Sequence, residues 1–154
     1  MCRQNNAKST GNTDSRSATD RQDFYGLRDV LRITAIKVLQ LMRQYPLIQN
    51  LNCDVAGTPD APIVVRAAAL GAALIRFDAL EGFKVSARHW LFENLDIRGV
   101  CAVDSDCEHA FHLFGDADFT RIRDCRVRDF NAQIKSNITG GAFPDDVVVE
   151  RCEF

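Results

Sequence analysis

The side chains with the most chemistry to offer in this 154-residue chain lie in its last third. Lys135 stands in Gln133-Ile134-Lys135-Ser136-Asn137, and His112 stands 23 residues earlier in Ala110-Phe111-His112-Leu113-Phe114. Side chains alternate across a strand. With Phe111, Leu113 and Ile134 facing inward, His112, Gln133 and Lys135 face outward. Stacking the two strands then sets His112 beside Lys135 or Gln133 on one face. A charged lysine there is a surface cation. To act as a base it must be neutral part of the time, with its pKa lowered from about 10.4 by a neighbouring cation or by desolvation.

Other reactive types are less ordered. The pair His109-x-x-His112 is no helical metal motif, because its segment reads as strand and His109 as a loop residue. Asp104, Asp106, Glu108 and Asp116 are candidate calcium ligands, against the plainer reading of a solvated acidic loop. Arg121, Arg123, Arg126 and Arg128 alternate with Ile122 and Val127, as on the solvated face of a strand; an anion-binding stripe is the sharper alternative. The six cysteines include no C-x-x-C pair, which argues against structural zinc. Cys125 and Cys152 suit inward-stacked free thiols. Cys101 and Cys107 flank an acidic loop and suit a disulfide in an oxidising compartment. Asn137-Ile138-Thr139 is a glycosylation sequon by pattern.

The elements that must position these groups repeat along the chain. Phe92, Ile122 and Val149 occupy one phase of three similar segments, Leu95, Cys125 and Cys152 the next, and Ile97, Val127 and Phe154 the third. The offsets are 30 and 27 residues, and apolar residues alternate with polar ones. A strand-rich unit of that period is a solenoid coil, which buries its inward row only by stacking on its neighbours. Further strands are expected at 63–66, 74–77, 82–86, 110–114 and 133–136, with turn-rich connections between them. No helical crossovers follow residue 50, which argues against a doubly wound sheet. An antiparallel sandwich remains the alternative, and the in-phase repeat without two-residue hairpin turns favours the parallel β-helix. The expected class is therefore an all-β, parallel β-helix over residues 51–154.

Residues 1–22 are polar, lack an apolar signal core and read as a disordered tail. Residues 23–50 carry Leu27, Val30, Leu31, Val38, Leu41 and Met42 at helical spacing, and Pro46 stops the pattern. That amphipathic helix would cap the open end of the first coil. Arg28, Arg32, Lys37 and Arg43 interrupt the best apolar run, so no membrane span is expected. Net charge is −2, so no global basic field favours nucleic acid.

The segment Gly57-Thr58-Pro59-Asp60-Ala61-Pro62-Ile63-Val64-Val65-Arg66-Ala67 resembles an early coil of right-handed parallel β-helix proteins. It is followed, as there, by Gly82-Phe83-Lys84-Val85-Ser86 and an aromatic-led strand from Trp90 to Ile97. Over about residues 55–154 the chain is similar to polysaccharide lyase family six, which includes alginate lyases and chondroitinase B. The resemblance implies an extracellular or periplasmic protein acting on or binding an acidic, alginate-like polysaccharide, sometimes with calcium. Such lyases work by β-elimination: a lysine removes the C5 proton of a uronic acid and an arginine protonates the leaving oxygen. It implies Lys135 as the catalytic base, with His112, Gln133 and Asn137 as substrate-binding residues. The family's acid arginine falls about twenty residues after the lysine, beyond Phe154. The chain also ends inside an apolar strand, so it reads as a piece of a longer β-helix with little activity alone. Three classes stay open: a lyase, a non-catalytic carbohydrate-binding β-helix, and an inactive fragment.

Overall fold

The computed structural model describes residues 2–4 and 49–154. The expected helix over 23–50 and nearly all of the expected tail lie outside the described residues. Described strands are β1 (Cys2–Gln4), β2 (Leu51–Cys53), β3 (Ile63–Arg66), β4 (Leu74–Phe77), β5 (Glu81–Val85) and β6 (Trp90–Glu93). They continue with β7 (Asp96–Gly99), β8 (His109–Phe114), β9 (Arg121–Arg123), β10 (Arg126–Arg128), β11 (Ala132–Asn137) and β12 (Val148–Glu150). Among the described residues there is no α-helix, only a short 3-10 turn at Asp104–Asp106.

The strands wind into a parallel β-solenoid of about three turns. Three sheets run along it, in the orders β1-β2-β5-β8-β11, β10-β7-β4 and β12-β9-β6-β3. All pairings are parallel except β1 with β2, where Gln4 lies opposite Leu51. This removes the antiparallel sandwich as an alternative. Residues 51–62, read from sequence as a connection, contain β2, which extends the first sheet by pairing with β5.

The repeat read from sequence is the stacking register. Val65 lies over Phe92, Phe92 over Ile122 and Ile122 over Val149. Phe92 and Ile122 are fully buried, whereas Val149 is 40% exposed because no coil among the described residues stacks beyond it. Phe154, in the third phase, is exposed for the same reason. The first two long segments are each two strands rather than one, and the third is β12 followed by a single bridge from Glu153 to Arg126. The breaks fall at Asn94, Asp124 and Arg151, which share a left-handed conformation with φ of 57°, 53° and 51°. A second such corner is formed by His89, Phe119 and Asp146. Asn and Asp tolerate this conformation through local hydrogen bonding. At Arg151 the cost is offset by two hydrogen bonds to Asp124 on the coil before, at 2.7 and 2.9 Å.

The core is aromatic. Phe83 stacks on Phe111 at 5.2 Å, meets Phe77 edge-on at 5.2 Å and tilts against Phe92 at 4.9 Å. Such pairs add about 0.5–1.5 kcal/mol each beyond their burial. Trp90 is buried, and its indole donates to the Val55 carbonyl at 3.0 Å.

The middle coil carries a long insertion at one corner. Three residues join β4 to β5 and β10 to β11, but residues 100–108 separate β7 from β8. This loop is closed by a Cys101–Cys107 disulfide, with Cα atoms 5.7 Å apart. Among the described residues, Cys125 and Cys152 are free thiols. Burial pushes the Cys125 thiol up to about 12, so it behaves as a small apolar side chain. The double change Cys101→Ser and Cys107→Ser should lower stability by about 2 kcal/mol, the loop-closure value for so short a ring. Urea denaturation of the two forms measures it.

Candidate functional site

The outward face of the first sheet gathers the polar side chains that chemistry needs. In register, Asn52 lies beside Lys84, Lys84 beside His112, and His112 beside Lys135. Neighbouring strands are about 4.8 Å apart. The row therefore presents one polar group per coil, parallel to the solenoid axis. The expected meeting of His112 and Lys135 is what the structure has.

His112 is held on both sides. Its Nδ1 lies 2.5 Å from Glu81 Oε1, an ion-pair contact that is short but off the ring's N–H axis. Its Nε2 contacts Asn137 Oδ1. The Asn137 amide in turn donates from Nδ2 to the Ile138 carbonyl at 3.1 Å. Glu81 also receives Lys84 Nζ, at 2.9 Å on Oε2. Burial alone would raise the Glu81 carboxyl. The Lys84 hydrogen bond and the positive charges of His112 and Lys84 outweigh it, so the group sits below its ordinary 4.5 and is ionised.

Lys135 differs from Lys84. It is exposed, and no ion pair or hydrogen bond engages its side chain among the described residues. Gln133 is half-buried and makes no polar contact with Glu81, Lys84, His112 or Lys135. The reason is a local break in alternation. Glu81 and Lys84 touch although three apart in β5, and the rings of His109 and His112 lie 6.0 Å apart in β8. Ala132 occupies the equivalent place in β11, opposite His109, and Gln133 follows it in line with the buried Ala110.

His109 is not the loop residue expected but the first residue of β8, 9% exposed, with neither ring nitrogen in an aligned hydrogen bond. Its Nε2 lies 3.4 Å from Glu108. Beside Lys84, a depression of about 260 Å³ is lined by Gln49, Asn50, Ala79, Leu80, Glu81 and Lys84. Sequence reasoning missed Glu81. The available signal was its position three residues before Lys84, one coil ahead of His109 and His112.

Three of the four arginines of the stripe are paired internally, and Arg121 is exposed without a carboxylate partner among the described residues. Arg123 bonds Glu93 at 2.9 Å, Arg126 bonds Glu153 at 2.6 Å, and Arg128 reaches the buried Asp96 at 3.0 Å. That is the solvated-face reading, since the chain's own carboxylates occupy these cations. Asp116 likewise pairs with Arg88. Among the described residues no group of three or more His, Cys, Asp or Glu side chains is placed to hold a metal ion. None of the described helices is long and apolar enough to cross a membrane. Compared with known proteins, the chain matches no family model, no curated protein and no solved structure.

Proposed function

We propose that the protein binds an acidic, alginate-like polysaccharide along the outward face of its first sheet. The observation that carries this reading is Lys135, an exposed cation free of carboxylates, continuing the row of Lys84 and His112. A regular row of polar groups suits a regular polymer, and uncompensated positive charge suits its carboxylates. Asn137 supplies an amide at the end of the same strand. The Cys101–Cys107 disulfide fits the oxidising compartments in which such polymers occur. The reading takes the solenoid as right-handed, as in the β-helix proteins it resembles, with residues 23–50 capping its first coil.

The adjacency of Lys135 and His112 favours a second reading, β-elimination. There Lys135 removes the C5 proton, and a neighbouring cation offsets the uronate charge so that the proton becomes acidic. No residue is assigned to protonate the leaving oxygen, so little or no turnover is expected.

Affinity electrophoresis in alginate, pectate and neutral dextran gels tests both readings. Retardation is expected in the acidic gels only, weakening as salt is raised. Lys135→Ala should weaken it about tenfold, the value of one well-placed charge contact at about 1.4 kcal/mol. Absorbance of the unsaturated product measures elimination separately. Equal mobility in all three gels at low salt would remove the binding reading.

A further inference from the structure

We infer that Cys125 and Cys152 are a disulfide site: oxidised by a small-molecule disulfide, they close into a bond that crosses from one coil to the next. The inference is independent of the polysaccharide reading.

Coil stacking sets the two thiols side by side. Glu153 bridges Arg126 in parallel, and its N–H donates to the Cys125 carbonyl at 2.9 Å. Cys152 therefore lies opposite Cys125 on the neighbouring coil. The side chains match as well. Cys125 Sγ lies 3.1 Å from the Arg123 carbonyl, two residues back, and 3.8 Å from the Phe92 carbonyl on the coil before. Cys152 Sγ repeats this, 3.4 Å from the Glu150 carbonyl and 3.6 Å from the Ile122 carbonyl. Phe92 and Ile122 are themselves register partners. Equivalent residues on neighbouring strands are about 4.8 Å apart. Disulfides join Cα atoms about 4.4–6.8 Å apart. Turning Cys152 about its Cα–Cβ bond, with a small shift of its coil, brings the sulfurs together. The contacts it gives up are weak thiol hydrogen bonds. The coil has room to shift, since Val149 is 40% exposed and no coil among the described residues stacks beyond it.

Access decides the order of the steps. Cys125 is fully buried, whereas Cys152 is half-buried. The Cys152 thiolate attacks one sulfur of the small disulfide, breaking its S–S bond and releasing one thiol. Cys125 then loses its proton and attacks Cys152 Sγ, releasing the second thiol. Two protein thiols are oxidised, one small disulfide is reduced, and the two protein protons leave on the released thiols. Burial pushes the Cys125 thiol up to about 12, which makes the second step the slow one. The chain already holds the Cys101–Cys107 disulfide, so conditions that form that bond supply an oxidant for this one. The ring closed between Cys125 and Cys152 encloses β10, β11 and β12, and with them Lys135 and Asn137.

The full chain is incubated, folded, with glutathione disulfide; remaining thiols are then blocked with iodoacetamide and the peptides mapped by mass spectrometry. A peptide pair joined through Cys125 and Cys152 is expected, preceded by a transient glutathione adduct on Cys152. In Cys125→Ser that adduct should persist. In Cys152→Ser, Cys125 should stay unreacted until urea unfolds the chain. The joined form should unfold at a higher urea concentration than the same protein before oxidation, and its β12 amides should exchange more slowly. A glutathione adduct on Cys152 that never passes to Cys125 in the folded chain overturns the site. So does joining of either cysteine to Cys101 or Cys107 instead.

Discussion

Replacing Gly99 by alanine is expected to destabilise the protein by about 3 kcal/mol or more, at the upper end of overpacking effects. Gly99 closes β7 under the β10–β11 corner. A Cβ built there would lie 2.0 Å from the Asp129 carbonyl oxygen and 3.1 Å from Cys107 Sγ. The first clash is with backbone, which no rotamer change relieves. The coil above would have to lift, breaking its stack on the coil below. Asp129 itself has a left-handed φ of 60°, so the corner has little freedom to adjust. Gly71→Ala is the comparison: its φ of 81° carries strain, but nothing lies within 4 Å of the new methyl. Guanidinium denaturation should show a small shift for Gly71→Ala and a large one for Gly99→Ala. Equal shifts would mean that close coil contact at Gly99 is absent in solution.

Ile122→Asp should be comparably severe, costing about 3–5 kcal/mol as an unpaired charge in the core. Ile122 is fully buried, with Phe92 beneath it and Val149 above. The neighbouring cations cannot rescue it. Arg121 and Arg123 point away from the core, and Arg123 is already engaged by Glu93. Arg121→Ser, one residue away on the outer surface, should change stability by no more than about 0.5 kcal/mol. The contrast between adjacent positions tests the inward and outward assignment of β9. Two similar midpoints in urea would refute it.

The coil repeat was legible because strand alternation is a local property written into neighbouring residues. Phe92, Ile122 and Val149 could be aligned by eye, and their alignment is the register of β6, β9 and β12. His112 beside Lys135 followed from the same alternation, since Phe111 and Ile134 mark the inward side of β8 and β11. What the sequence by itself determined is therefore the solenoid class, the stacking phase and one pair of outward residues.

The rest depended on geometry that no local pattern encodes. Alternation fails where Glu81 and Lys84 share a face, and that failure places Glu81 against His112 and leaves Gln133 outside the set. Which cations are free was also a tertiary matter. The arginines of β9 and β10 and the lysine of β11 look alike in sequence. Only the stacking of coils brings Glu93, Asp96 and Glu153 onto Arg123, Arg126 and Arg128 and leaves Arg121 and Lys135 without a carboxylate among the described residues. Partners 27 to 32 residues apart are set by the lengths of the intervening corners, including the nine-residue loop closed by Cys101 and Cys107. Charge pairing acts across space at contact distance, so it is decided by the fold; alternation acts along the chain, so it is decided by the sequence.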